Sequence, residues 1–204
     1  MKFIRYKSID KAIVVALDMR SSSSMVDDLA GTGSLSRMAD FLSRLKHFFA
    51  DELQVERKIR VDPYKFIGDA WVLLFLTDTP GRELLYALRD LCHVYEKSFE
   101  KLLQPVLTEI PKHTGLAFGI ADGPLLKTTI FQTTEYIAPA LNVAARLQVH
   151  AKTLPTRFGV MCAADAYDRY FAGIEDFKFT RTAATLPGLQ SGVPFPCVHV
   201  DLMP

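Results

Sequence analysis

A chain of 204 residues, 49% hydrophobic and 23% charged, is long enough to bury one substantial core, and a single domain over 1–204 is expected. Its 24 Lys and Arg against 23 Asp and Glu leave a net charge of +1, which gives no bulk attraction for a nucleic acid or an anionic membrane and leaves a small anionic ligand open. The charged start MKFIRYKSIDK does not read as a signal peptide, the apolar runs Ala12 to Leu17 and Ala70 to Leu76 fall far below a membrane span, and Cys92, Cys162 and Cys197 form no CxxC pair, so a cytoplasmic protein with buried, inert thiols is expected.

Lys11 to Asp18 (KAIVVALD) is β-branched and almost continuously apolar, as a central strand covered on both faces requires, and it ends in an acid. The following MRSSSSM leads towards a helical stretch. Ser34 or Ser36 is placed to cap a helix whose apolar positions Met38, Phe41, Leu42, Leu45, Phe48 and Phe49 recur at three- and four-residue spacing. Tyr64 to Leu76 reads as a hairpin turning at Gly68-Asp69, which sets a second acid at a tip. Strand alternation puts Tyr64 and Phe66 on the face opposite Lys65, as core residues.

Pro80-Gly81 opens an amphipathic helix to about Leu103, and Gly115 to Ile120 is a third core strand that Gly123-Pro124 breaks. Ala138 to Ala151 is a helix with proline in its first turn. A strand at Phe158 to Cys162, a short helix near Ala164 to Phe171, and strands near Phe177 to Arg181 and Cys197 to Leu202 complete the chain. Long helices alternating with hairpins predict an α/β sandwich over a mainly antiparallel sheet.

Asp18 and Asp69 are candidates to converge at one edge of the sheet, where paired carboxylates suit Mg²⁺ or Mn²⁺ bridged to phosphates. Ser21, Ser22 and Ser23 offer backbone N–H groups and hydroxyls to anionic oxygens. Asn142 and Arg146, four apart on one helical face, can reach a common ligand, and an arginine there can stabilise charge developing on phosphorus. Singly, each feature has a plainer reading, as turn or cap acids, a solvated serine loop and surface polar residues.

Taken in order, Ala16-Leu-Asp18-Met, Lys65-Phe-Ile-Gly-Asp69-Ala, Gly119-Ile-Ala-Asp-Gly123-Pro and Asn142-Val-Ala-Ala-Arg146-Leu resemble the class III adenylyl and guanylyl cyclase catalytic domain, over about residues 10 to 200. The resemblance implies a ferredoxin-like fold and two Mg²⁺ or Mn²⁺ ions held at Asp18, Met19 and Asp69. It implies that Asn142 orients the ribose, Arg146 stabilises the transition state, and Lys65, with Glu135, reads the base. It also implies a head-to-tail homodimer in which one chain holds the metals and the other supplies Asn142, Arg146 and the base-reading residues, around a nucleoside triphosphate that closes to a cyclic nucleotide with loss of pyrophosphate.

The chain departs from that family at the base pocket and at the triphosphate. Ala138-Pro139 replaces a customary glycine, Glu135 stands where an aspartate or threonine is usual, and Leu186-Pro187-Gly188 lacks the customary lysine, for which Lys178 or Arg181 is a substitute. A longer acid and a bulkier Ala138 shrink the pocket towards a pyrimidine. The chain thereby resembles the stand-alone pyrimidine cyclases of bacterial antiphage signalling, which make cyclic UMP or cyclic CMP for a separate effector. An adenylyl cyclase and a non-catalytic nucleotide-binding module are the alternatives.

Overall fold

The computed structural model of the chain describes residues 7–49, 51, 53, 59–76, 78–188 and 193–203. In chain order the elements are β1 (Lys7–Met19), α1 (Ser22–Gly31), α2 (Ser36–His47), β2 (Val61–Ile67), β3 (Ala70–Leu76) and α3 (Gly81–Ser98), continued by a π-helical turn over Phe99–Leu103. There follow β4 (Leu116–Ile130), β5 (Thr133–Ile137), α4 (Pro139–Ala151), β6 (Phe158–Ala163), α5 (Ala164–Tyr170), β7 (Phe179–Ala184) and β8 (Phe195–Asp201). The strands form one sheet in the order β2-β3-β1-β4-β6-β8-β7, with β5 paired to the far half of β4. All pairings are antiparallel except β4 with β6. The order β4-β1-β3-β2 within the first half is the ferredoxin-like arrangement, so the mixed α/β architecture is the one expected.

The apolar run of β1 sits centrally because it has neighbours on both edges and cover on both faces: Ile13, Val14 and Val15 are fully buried between β3 and β4. Helix α4 crosses β4, β1 and β6. A glycine permits the closest approach, since a Cβ on Gly119 of β4 would lie 1.9 Å from the carbonyl oxygen of Ala144. Helix and strand therefore meet backbone to backbone.

Three expectations are corrected. Gly123-Pro124 does not end the third strand: β4 runs on to Ile130 and turns through Phe131 and Gln132, at φ 48° and 69°, into β5. A bulge absorbs the proline, because the β1–β4 register shifts between Ile9 and Ala12, opposite Leu125 and Gly123. Neither Ser34 nor Ser36 caps α2, which starts at Ser36 after Leu35 with no side-chain cap bond. Strand β7 begins at Phe179, later than the pattern placed it, with Phe177 buried ahead of it. All three thiols are free and buried, and no described helix is long and apolar enough to cross a membrane.

Candidate active site

The ladder between β1 and β3 pairs Leu17 with Trp71, and one step further sets Asp18 level with Ala70, next to the turn residue Asp69. Gly68, at φ 64°, turns the β2–β3 hairpin there. The two carboxyl groups are near enough to shift each other's protonation. Burial, and then Asp69, push the Asp18 carboxyl above its usual value against the pull of Lys152. Burial works to raise Asp69 as well, but Asp18 and Ser22 outweigh it and leave that carboxyl below its usual value. Such a pair is short of positive charge.

Asp69 Oδ2 is buried with no hydrogen-bond partner, an open hard acceptor next to a second carboxylate. That donor set fits Mg²⁺ or Mn²⁺, which take one or two carboxylates and complete their shell with phosphate oxygens and water. No group of three or more His, Cys, Asp or Glu that could hold a metal occurs among the described residues. The Met19 side chain is fully buried, so its backbone carbonyl is the oxygen it can offer. One cation is already present: Lys152, in the residue after α4, places Nζ 2.6 Å from Asp18 Oδ2.

The serine run folds as the turn Arg20-Ser21 and the first residues of α1, which Ser21 enters at φ 57°. Ser21 Oγ donates to the carbonyl of His113, Ser24 Oγ donates to the carbonyl of Ser21, and Ser22 borders Asp69. Met25 N–H is bonded to Ser21 O, so the N–H groups of Ser22 and Ser23 precede the first intrahelical bond, at the positive end of the helix dipole.

Lys65 and Glu135 meet, with Nζ 2.7 Å from Oε2. Tyr64 is the correction. Its hydroxyl donates to the same Oε2 at 2.5 Å and accepts from the Tyr136 N–H at 3.2 Å. The reason is a break in strand alternation: the β2–β3 register shifts between Pro63 and Lys65, so Tyr64 and Lys65 both reach Glu135. Phe66 is corrected too, being 37% exposed at the hairpin tip, edge-on to Trp71 and under the Lys46 ammonium. In a flat sheet β2 and β5 would be about 19 Å apart, four strand spacings. Yet Tyr64 packs edge-on against Tyr136 at 4.9 Å, and the Tyr136 hydroxyl donates to Asp62, so the sheet curls to bring the two hairpins together. The bonds from Lys65, and then from Tyr64, hold Glu135 below its usual carboxyl value, and Glu135 in turn raises Lys65, so both stay charged at neutral pH.

Asn142 and Arg146 lie on α4, Asn142 exposed and Arg146 half-buried, with no hydrogen bond or ion pair to another described residue. The Arg146 guanidinium lies against the turn that lacks the lysine: a Cβ on Gly188, at φ 73°, would be 3.0 Å from Nη2. Arg181 is not brought to the acids in this chain. It sits on the edge strand β7, four strands from β1, paired with Asp168 and over the Tyr167 ring. Lys178 is exposed just ahead of the same strand.

Tyr64 and Lys152 are the two site residues that sequence reasoning missed. A bulge carries no signal in residue types, and the Lys152 contact spans 134 positions along the chain.

No protein-family model and no curated protein matches the sequence. Solved structures do match over almost the whole chain. The adenylyl cyclase CyaB from P. aeruginosa is 14% identical with a TM-score of 0.71, the match covering 96% of this chain and 95% of that one. A bacterial light-regulated adenylyl cyclase is 15% identical with a TM-score of 0.72, over 97% of this chain and 53% of that one. The catalytic core of a rhodopsin-guanylyl cyclase with converted specificity, in complex with ATPαS, is 14% identical with a TM-score of 0.64, over 96% and 98%. The chain has the fold shared by these adenylyl and guanylyl cyclase structures.

Proposed function

We propose that the chain is a nucleotidyl cyclase, closing a nucleoside triphosphate into a 3′,5′-cyclic nucleotide with release of pyrophosphate. The observation that carries this reading is the placing of Asp18 and Asp69 side by side at the serine-lined start of α1, with Asp69 Oδ2 left open. Divalent cations held there would neutralise the phosphates and lower the pKa of the ribose 3′ hydroxyl that attacks the α-phosphorus. The free N–H groups of α1 would hold phosphate oxygens, Asn142 would orient the ribose, and Arg146 would meet the charge that develops on phosphorus.

The site is shared between two copies in this reading. Asn142 lies ten residues before Lys152, about 15 Å along a straight helix, while Lys152 is the residue that touches Asp18. That separation supports a site in which the Asn142 serving a given Asp18 comes from a second copy, as in the head-to-tail homodimer that the sequence resemblance implies.

For the base we propose a pyrimidine, UTP ahead of CTP. Lys65 donates and Glu135 accepts, which suits uracil, cytosine, adenine or guanine alike. Size separates them: Tyr64 and Tyr136 fill space beside the pair, and Glu135 and Ala138 are larger than the residues usual in the family at those positions. The role as an antiphage messenger acting on a separate effector rests on the resemblance to stand-alone pyrimidine cyclases. The second reading is an adenylyl cyclase, favoured by the Lys65–Glu135 pair itself. Incubation with ATP, GTP, CTP and UTP plus Mn²⁺, with products identified by mass, decides. UTP or CTP is expected to be cyclised with the higher specificity constant, and Ala138→Gly, alone or with Glu135→Asp, to raise the ATP-to-UTP ratio. A wild-type preference for ATP returns the protein to the adenylyl reading.

Tyr64→Phe removes the hydroxyl that orients Glu135 but keeps the ring that packs on Tyr136. We expect KM for the preferred nucleotide to rise about 3- to 20-fold with kcat little changed, the signature of a lost bond in base binding. Steady-state kinetics check it, and an unchanged KM would mean that Lys65 alone orients Glu135.

A further inference from the structure

The turn that should carry a triphosphate-binding lysine has Pro187-Gly188, Arg181 is engaged with Asp168, and yet a lysine stands at the acids. Resting on the cyclase reading above, we infer that Lys152 is the phosphate-binding lysine of this site, neutralising Asp18 until the metal arrives with its anion and then pairing with the pyrophosphate portion of the triphosphate.

The backbone holds Lys152 in place by a device independent of its own charge. Arg20 is 6% exposed, and its Nη2 and Nη1 donate to the carbonyls of Ala151 and Lys152, each at 2.6 Å. Because Arg20 follows β1 by one residue, the clamp ties the end of α4 to the strand that carries Asp18. The main chain of Lys152 is thus fixed relative to the acid, while its four-carbon stem stays flexible and its side chain is 33% exposed.

Two cations cannot both sit on Asp18 Oδ2 without repulsion, so a divalent ion taking that oxygen displaces the ammonium. The displaced group has somewhere to go. Lys152 lines a cavity of about 440 Å³ together with Arg20, Ser21, His113 and Thr153. Ser21 is also the residue from which α1 starts, so the cavity adjoins the free N–H groups there. An anion entering with the metal would be met by helix N–H groups on one side and by the Lys152 ammonium, a compact charge with three donors, on the other. The metal's gain at Asp18 and the anion's gain at Lys152 come from one movement of one side chain.

Inorganic pyrophosphate tests the lysine without a base. Calorimetry on the full chain with Mg²⁺ should show pyrophosphate binding about 10- to 100-fold weaker in Lys152→Met, the loss of one charge-assisted hydrogen bond, and largely kept in Lys152→Arg. Mn²⁺ alone should bind roughly 2- to 5-fold tighter to Lys152→Met, since no ion pair has to be broken. Thermal unfolding checks that the variant is folded. In the wild type, acetylation of Lys152 read by mass spectrometry should speed up with Mn²⁺ alone and be suppressed when pyrophosphate is added, a readout that needs no variant. Pyrophosphate binding within twofold of wild type in Lys152→Met, or a Lys152 that pyrophosphate fails to protect, overturns the inference. A wild type that cyclises nucleotides with Lys152→Met binding pyrophosphate normally sinks the lysine and leaves the cyclase. Both affinities shifting while no cyclic product forms does the reverse.

Discussion

Asp69→Ala should reduce cyclic nucleotide formation by about 10³-fold or more, while circular dichroism and thermal unfolding stay close to wild type. The fold is indifferent because of where the residue sits. Asp69 belongs to a two-residue turn that Gly68 shapes, its Oδ2 has no partner to lose, and its removal relieves the crowding that raises Asp18. The chemistry depends on it for the same reason, since an unpartnered carboxylate oxygen is what a divalent cation with its phosphates would use. Asp18→Ala should act alike on turnover, but there Lys152 loses its partner. The measurement is product by mass with Mn²⁺ at saturating nucleotide. Retention of a tenth of wild-type turnover in Asp69→Ala removes the metal assignment.

The second large effect concerns α4. Arg146→Ala should lower kcat by about 10²- to 10⁴-fold with a much smaller change in triphosphate affinity, because a charge-stabilising arginine acts mainly in the transition state. The helix is compatible with a donor in trans: Arg146 lies against the Gly188 turn with no ion pair among the described residues, and Asn142 stands about 15 Å along the helix from Lys152, the residue that touches Asp18. Mixing equal amounts of Asp69→Ala and Arg146→Ala chains should then restore about a quarter of wild-type activity. Half of the dimers are mixed, and each mixed dimer has one intact site of two. No recovery after demonstrated subunit exchange would place both groups in one chain and refute the shared site.

Much of this architecture is local in origin and therefore legible in the sequence. A run such as KAIVVALD has to be covered on both faces, Gly68-Asp69 has to turn, and the apolar spacing of α2 and α3 has to face a sheet. The acids and the Asn142–Arg146 face were named from such segments, and Lys65 and Glu135 from the resemblance to the cyclase domain. What the sequence hid arises from irregularity or distance. The bulge at Pro63 to Lys65 reverses the expected side for Tyr64, and the bulge opposite Pro124 lets β4 continue where a glycine and a proline suggested a break. The Lys152–Asp18 contact depends on where α4 ends over β1, which is settled by the backbone approach at Gly119 and the Arg20 clamp.

That approach at Gly119 divides what the molecule can vary from what it cannot. Helix α4 rests on β4 through main-chain atoms, so changing side chains around it cannot slide it, and any residue larger than glycine at 119 would lift the whole helix away. Asn142 and Arg146 are mounted on the immovable part. Lys65 and Glu135 stand instead on two hairpins whose tips, at Ile67 and Phe131, are open to solvent. Substitutions there can accumulate without disturbing the seating of α4. On the cyclase reading, a lineage with this scaffold would be free to exchange one nucleobase for another by drift in its hairpins, under a helix that its own backbone holds to one position.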